Sequence, residues 1–237
     1  MIARVAFAPH PPLLVPELVT GAAAETEALR QACLRAARTL TEEVDHWWVI
    51  AVDQAGPATI GPDARGTFAG FGADVEVDLG EGSGPADPML PVPALVAGWL
   101  RAHAGARSAA VHLLPPGLSP AECHEFGRKL ATNCIPIGLF VLADSSARLT
   151  PRSPVPPDER APAFDATISQ ALAAGEPAPL TGLDPELAAE LWAHGRAAYQ
   201  VAGAATAGQR WDAELLYSDC PYGVGYHVAT WRERAEF

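Results

Sequence analysis

The chain is predicted to fold as one α/β domain with a mostly parallel central sheet flanked by helices, and three observations carry that expectation. Apolar stretches of strand length alternate with Ala-, Leu- and Glu-rich stretches of helical period through residues 1–237. Two of the apolar stretches, 47–52 (WWVIAV) and 137–143 (IGLFVLA), carry no polar residue at alternate positions, the pattern of a strand covered by helices on both faces. With 237 residues, 49% hydrophobic and 19% charged, the chain has enough apolar side chain to bury a large core in a single unit.

The elements follow in order. Residues 2–8 form the first strand, because an apolar, β-branched run ends at the break made by Pro9, Pro11 and Pro12. Residues 20–40 have apolar positions at helical spacing and form a helix packed on a sheet. The strand 47–52 comes next and is central. Residues 56–72 are loaded with Gly and Pro and read as a long loop before a short strand at 75–79. A helix over 89–103, a strand over 109–114 and a helix over 119–132 follow, the last opened by the capping pair Ser119 and Glu122. After the strand 137–143, the Pro-rich residues 150–161 make an exposed connection. Two helices are then expected, 162–174 and 184–204, the second with Asp184 as N-cap and Pro185 in its first turn. Strands 213–217 and 224–231, joined around 219–223, close the sheet, and no internal repeat divides the chain.

A net charge of -12 repels phosphate backbones and anionic lipid, so neither nucleic acid nor a membrane surface is an expected partner. No stretch approaches membrane-spanning length and the first residues lack a basic leader, so a cytoplasmic location is expected. Cys33, Cys123, Cys134 and Cys220 lie far apart without a CxxC pair and read as reduced thiols. Trp47, Trp48, Trp99 and Trp192 read as large apolar anchors, buried in the core or between subunits.

Composition and spacing supply no catalytic fingerprint: there is no GxGxxG, P-loop, HExxH or GxSxG. What stands out is the segment 6–17 (AFAPHPPLLVPE), in which a strand ends in a histidine pinned between prolines, at the kind of strand end where α/β sheets hold ligands. This segment resembles the start of the LigB-type class III extradiol dioxygenases and of their Memo-like relatives. The likeness extends along the chain, since residues 141–149 (VLADSSARL) look like the small-residue turn of that family and 221–226 (PYGVGY) like the closing strand of a divergent branch.

The resemblance implies a class III extradiol dioxygenase-like domain over 1–237, with Fe(II) or another divalent metal held by two histidines and a carboxylate. Further histidines in such enzymes move protons to and from the substrate hydroxyl and bound oxygen. Carried over by position, His10 is the first ligand, Gln54 stands where the second histidine is expected, and His194, before Gly195 and Arg196, falls on the third. The implied metal set is therefore His10, Gln54 and His194, with Asp53 as a nearby carboxylate that can substitute. Ala147 and the pair Asp87-Pro88 stand where the proton-transferring histidines are expected, so ordinary catechol cleavage is not anticipated and no catalytic residue is assigned.

Two functions follow from this reading. One is a divergent metal-dependent oxygenase acting on a phenolic or related small aromatic molecule; the other is a non-catalytic binding or partner subunit on the same scaffold. The resemblance also implies a homo-oligomer or a subunit of a complex. Plainer roles stand beside each residue: His10 donating to a loop carbonyl, His194 packed or solvent-facing on an Ala-rich helix, and Asp53 capping the next turn. His112 reads as a core or edge histidine, His103 and His124 as exposed on helices, and His227 as a cross-strand packing residue or one facing the cleft.

Overall fold

In a computed structural model, residues 2–19, 23–132 and 136–234 are described; Cys134 and the predicted helix start at Thr20 lie outside them. The parallel centre of the sheet is made by β1 (Ile2–Ala8), β2 (His46–Val52), β6 (Ser108–Leu114) and β7 (Ile137–Leu142). Three antiparallel strands extend it: β3 (Ala58–Ile60) beside β6, then β9 (Tyr226–Glu233) beside β1 and β8 (Trp211–Asp219) beside β9. The seven-stranded order is β3-β6-β2-β7-β1-β9-β8, so the last parallel strand made is inserted between the first two. A separate two-stranded ribbon joins β4 (Arg65–Thr67) to β5 (Glu76–Asp78).

Side-chain alternation on the central strands divides the core in two. Ala6, Trp47, Val49, Phe140 and Leu142 face α1 (Ala23–Glu43) and α2 (Val92–Ala104), where Leu29, Cys33, Leu40, Leu95 and Trp99 meet them. Val5, Phe7, Ile50, Leu139 and Val141 face the opposite layer, which contains α3 (Pro120–Ala131), α4 (Ala161–Ala174), α5 (Pro177–Thr181), α6 (Pro185–Glu190) and α7 (Arg196–Thr206). Burial on both faces is why these strands carry no polar alternation. Trp47 packs edge-on against Phe140 at 5.1 Å, and Phe7 lies against Trp231 at 4.9 Å on the other side. The indole nitrogen of Trp231 donates to the Leu172 carbonyl at 2.8 Å, so its burial leaves no polar atom unpaired.

The local signals act as expected at several helix ends. Ser119 and Glu122 form a complete capping box at the start of α3, and Asp184 accepts from the backbone of Glu186 and Leu187 at the start of α6. Three expectations are corrected. The loop expected over 56–72 contains β3 and β4, because these segments find partners in β6 and β5 that their Gly and Pro content does not announce. The helix expected over 184–204 is broken between α6 and α7, where Trp192 takes a left-handed φ of 54° and the Ala193 amide turns back to the Ala188 carbonyl. Trp192 is consequently 46% exposed and no core anchor, while Trp48 is partly buried and only Trp47 and Trp99 are deeply so. Among the described residues no helix is long and apolar enough to cross a membrane.

Helices α3 and α7 approach closely at Gly127, where an added Cβ would stand 2.5 Å from the Val201 carbonyl oxygen and 2.7 Å from the Ala204 Cβ. Backbone cannot yield as a flexible side-chain tip does, so Gly127→Ala is expected to cost about 1–3 kcal/mol, the usual range for an overpacked contact. Urea denaturation of the variant checks this; an unchanged midpoint would show that the two helices are free to separate.

Candidate functional site

The strand order reverses at β7, and the segments leaving β1, β2, β6 and β7 gather at the carboxyl edge of the sheet, the usual location of a ligand crevice in an open α/β fold. Beyond β1, the run Pro9-His10-Pro11-Pro12 cannot extend the ladder and turns into two short 3-10 turns, Pro12–Leu14 and Pro16–Leu18. Leu14 and Val15 are buried, and Arg30 from α1 donates its Nε to the Leu14 carbonyl at 2.8 Å. These contacts set the position of His10.

Beyond β7, the Ala143 amide continues the ladder to Ala8, and Asp144 then accepts the backbone N–H of His10 on its Oδ1 at 3.2 Å. The His10 ring stands over the same carboxylate, Nδ1 to Oδ1 3.9 Å. That Nδ1 is shielded from water and has no hydrogen-bond partner, and neither has the buried Oγ of the adjacent Ser145. Burial, and then the Asp144 charge, push the Cys33 thiol and the Tyr226 phenol up, and the same two causes act on Tyr199, whose hydroxyl donates to the Ala143 carbonyl at 2.9 Å. Asp144 thus lies beside groups that hold their protons to higher pH, with the unpaired imidazole nitrogen of His10 3.9 Å from its Oδ1.

The remaining residues of the implied metal set are distributed differently. His194 lies in the turn between α6 and α7 and not on a helix. That turn is pressed onto β7: a Cβ on Gly195 would stand 2.4 Å from the Asp144 carbonyl oxygen, so only glycine fits there. His194 and Gln54 are both exposed and line one cavity of about 320 Å³ together with Pro116, Gly117 and Arg196. Asp53 accepts the Ala55 amide on its Oδ1 at 2.8 Å, capping its own turn. Position therefore joins His10 to Asp144 and Gln54 to His194. Among the described residues no group of three His, Cys, Asp or Glu side chains is placed to hold a metal ion.

Arg196 fastens the cavity wall. Its guanidinium is buried and donates to the carbonyls of Leu118 at 2.6 Å and Pro116 at 3.3 Å and to Gln200 Oε1 at 2.8 Å, tying α7 to the loop after β6. His227, 1% exposed, has both ring nitrogens engaged, Nδ1 with Ser218 across the β8–β9 hairpin and Nε2 with Asp165 of α4, each at 3.0 Å. The residue missed in the sequence is Asp144. Its signal was present, since it follows the fully apolar β7 by two positions just as His10 follows β1.

No protein-family model matches the chain, and no curated protein matches it. Among solved structures, it is similar to the crystal structure of the uncharacterized protein JW3007 from Escherichia coli K12, at 13% sequence identity and a TM-score of 0.54. The match covers 97% of this chain and 99% of that one, and at such identity it concerns the fold alone.

The raised phenols give the site a pH signature. In the unfolded chain a tyrosine loses its proton near pH ~10. In the folded chain Tyr199 and Tyr226 hold theirs to higher pH, and burial pushes Tyr217 up to about 12. The folded state then binds more protons than the unfolded one above pH ~10, so stability is full below that value and falls as pH rises through the window. Urea midpoints are expected to decline from about pH 10 upward, less steeply in Tyr226→Phe; parallel declines would show that Tyr226 does not contribute.

Proposed function

We propose that the protein is a divergent extradiol dioxygenase-like protein that takes a phenolic or related small molecule at the carboxyl edge of the sheet beside His10 and Asp144, without ordinary catechol cleavage. The observation that carries this reading is the His10 Nδ1, hidden from water, unpartnered, and 3.9 Å from the Asp144 carboxylate. A buried polar atom without a partner costs about 1–3 kcal/mol, which a ligand restores by pairing with it once the His10 ring turns to present that nitrogen. A phenol suits both groups, because its hydroxyl donates to the carboxylate and its oxygen accepts from the imidazole in the Nδ1–H form.

A divalent metal, Fe(II) in the class the sequence resembles, fits this place in part. Imidazole nitrogen and carboxylate oxygen are donors such an ion accepts, so His10 with Asp144 would hold it, and Gln54, His194 and Asp53 would complete the shell only by turning toward that pair. When bound, the ion would lower the pKa of a coordinated phenol. The chain's own residues then do the rest: Asp144 orients the hydroxyl, and the Pro-locked turn around His10 limits the imidazole's movement.

A second reading, a non-catalytic binding or partner subunit, is favoured by one observation. Ala147 occupies the turn after β7 where the resemblance expects a proton-transferring histidine, and it is buried, with its amide on the Leu191 carbonyl. Self-association belongs to both readings, and the exposed Trp192, Phe71 and Met89 are apolar surface a second copy would cover.

Anaerobic thermal melts with catechol, with Fe(II), and with both test the proposal. The melting temperature is expected to rise for the wild type with ligand concentration, and to lose that response in His10→Ala and in Asp144→Asn. Equal responses in all three proteins, or none in any, would sink the assignment to this edge. Mass spectrometry with a panel of phenols after admission of air separates the two readings, since an oxygenated product formed by the wild type and not by His10→Ala requires catalysis and its absence leaves a binding protein.

A further inference from the structure

The β8–β9 hairpin sets Ser218 directly opposite His227, and residues opposed in an antiparallel pair present their side chains on the same face of the sheet. On this face α4 brings Asp165 against the imidazole. The Ser218 Oγ lies 3.0 Å from the His227 Nδ1, and the His227 Nε2 lies 3.0 Å from the Asp165 Oδ1. The imidazole is buried, whereas Ser218 is exposed. A Cβ at position 225 would collide with the Asp165 Oδ1, so the carboxylate reaches the ring through space that only a glycine leaves open.

The order of these contacts fixes the hydrogen positions. A carboxylate only accepts, so Nε2 carries the imidazole hydrogen, Nδ1 is bare, and the Ser218 hydroxyl donates to it. A hydroxyl on a bare imidazole nitrogen, with the far nitrogen held by a carboxylate, is the arrangement that activates an oxygen nucleophile, and geometry rather than chain order identifies it. Space for a substrate lies beside it. Ser218 and Asp165 line a cavity of about 300 Å³ together with Leu149 and Pro162, at the small end of the range for ligand sites. Cys220 lines it too, but burial, and then the Asp219 and Asp165 charges, push its thiol up and keep the sulfur in its less reactive form.

The neighbours narrow the substrate. Asp165 and Asp219 both line the cavity, so an acyl donor with a negative charge is repelled. The Cys220 amide donates to the Asp219 Oδ1 at 2.7 Å and the Gly223 amide to the Cys220 carbonyl at 3.0 Å, so neither is free to hold an oxyanion and the ester must bring a good leaving group.

We infer that Ser218 is the nucleophile of an acyl-transfer site for small, uncharged aryl esters, with His227 as its base and Asp165 as the residue that positions the imidazole. In the first step the Ser218 Oγ bonds to the acyl carbon, its proton passes to the His227 Nδ1, and the bond to the aryl oxygen breaks; the aryloxide then takes up that proton. In the second, water attacks the acyl carbon through the same base, the carboxylic acid departs and Ser218 regains its proton. Water is the only co-reactant. His10 and Asp144 take no part, so the test of this site does not depend on the phenol proposal.

Ester cleavage and covalent trapping test the site in the full chain. The wild type and Cys220→Ala are expected to release 4-nitrophenolate catalytically from 4-nitrophenyl acetate, and to be phosphonylated at Ser218 by a fluorophosphonate with loss of fluoride. Ser218→Ala is expected to do neither while remaining folded in a thermal melt. Asp165→Asn is expected to be trapped about a hundredfold more slowly. The wild-type trapping rate is expected to fall in deuterium oxide, because a proton moves to His227 in that step, and this dependence to vanish in Asp165→Asn. No adduct on the wild-type Ser218, an adduct on Cys220 in its place, a trapping rate unchanged in Asp165→Asn, or turnover retained in Ser218→Ala would each overturn the inference. If Asp165→Asn does not fold, the wild type in urea decides: trapping of Ser218 must cease as the chain unfolds, and a rate that persists rejects the site.

Discussion

Strand β7 is hydrogen-bonded along both its edges, to β1 from Ile2 to Ala8 and to β2 from Trp47 to Ala51, while its two faces are covered by different helical layers. A segment so enclosed can carry only apolar side chains, and all six of its residues are buried. Polar groups are therefore confined to the place where the strand ends. Because β1 ends beside it and runs parallel to it, the first polar residue after each strand, His10 and Asp144, meet at the same edge. The parallel pairing thus brings together two side chains that are 134 positions apart.

The electrostatics of this edge follow from the same burial. Asp144 retains partial access to water, whereas Cys33, Tyr199 and Tyr226 are pushed by desolvation toward their neutral forms. Rigidity comes from elsewhere: Gly195 lets the α6–α7 turn rest directly on the β7 exit, and Arg196 binds the loop after β6 to α7.

Much of the scaffold was legible because its signals are local. The apolar runs of β2 and β7, the prolines after β1, the capping pair at Ser119 and Glu122 and the cap at Asp184 each depend on residues within a few positions of one another. The sheet's antiparallel edge at β3 and the break at Trp192 were not legible, because each meets a distant partner: β6 for the first, Ser146 and Ala147 on the Leu191 carbonyl for the second. Candidate residues divide in the same way. His10 was conspicuous between its prolines, but Asp144 was passed over as one small polar residue in a small-residue turn.

The amino-acid sequence by itself determined an α/β chain, the positions of its parallel strands and a histidine at the end of the first of them, since periodicity and proline act through neighbouring residues. Only the tertiary structure decided the strand order, the carboxylate that faces that histidine, and which imidazole nitrogens are buried without a partner. Those depend on contacts between segments far apart in the chain, and the desolvation that gives them chemical meaning exists only after the layers have closed.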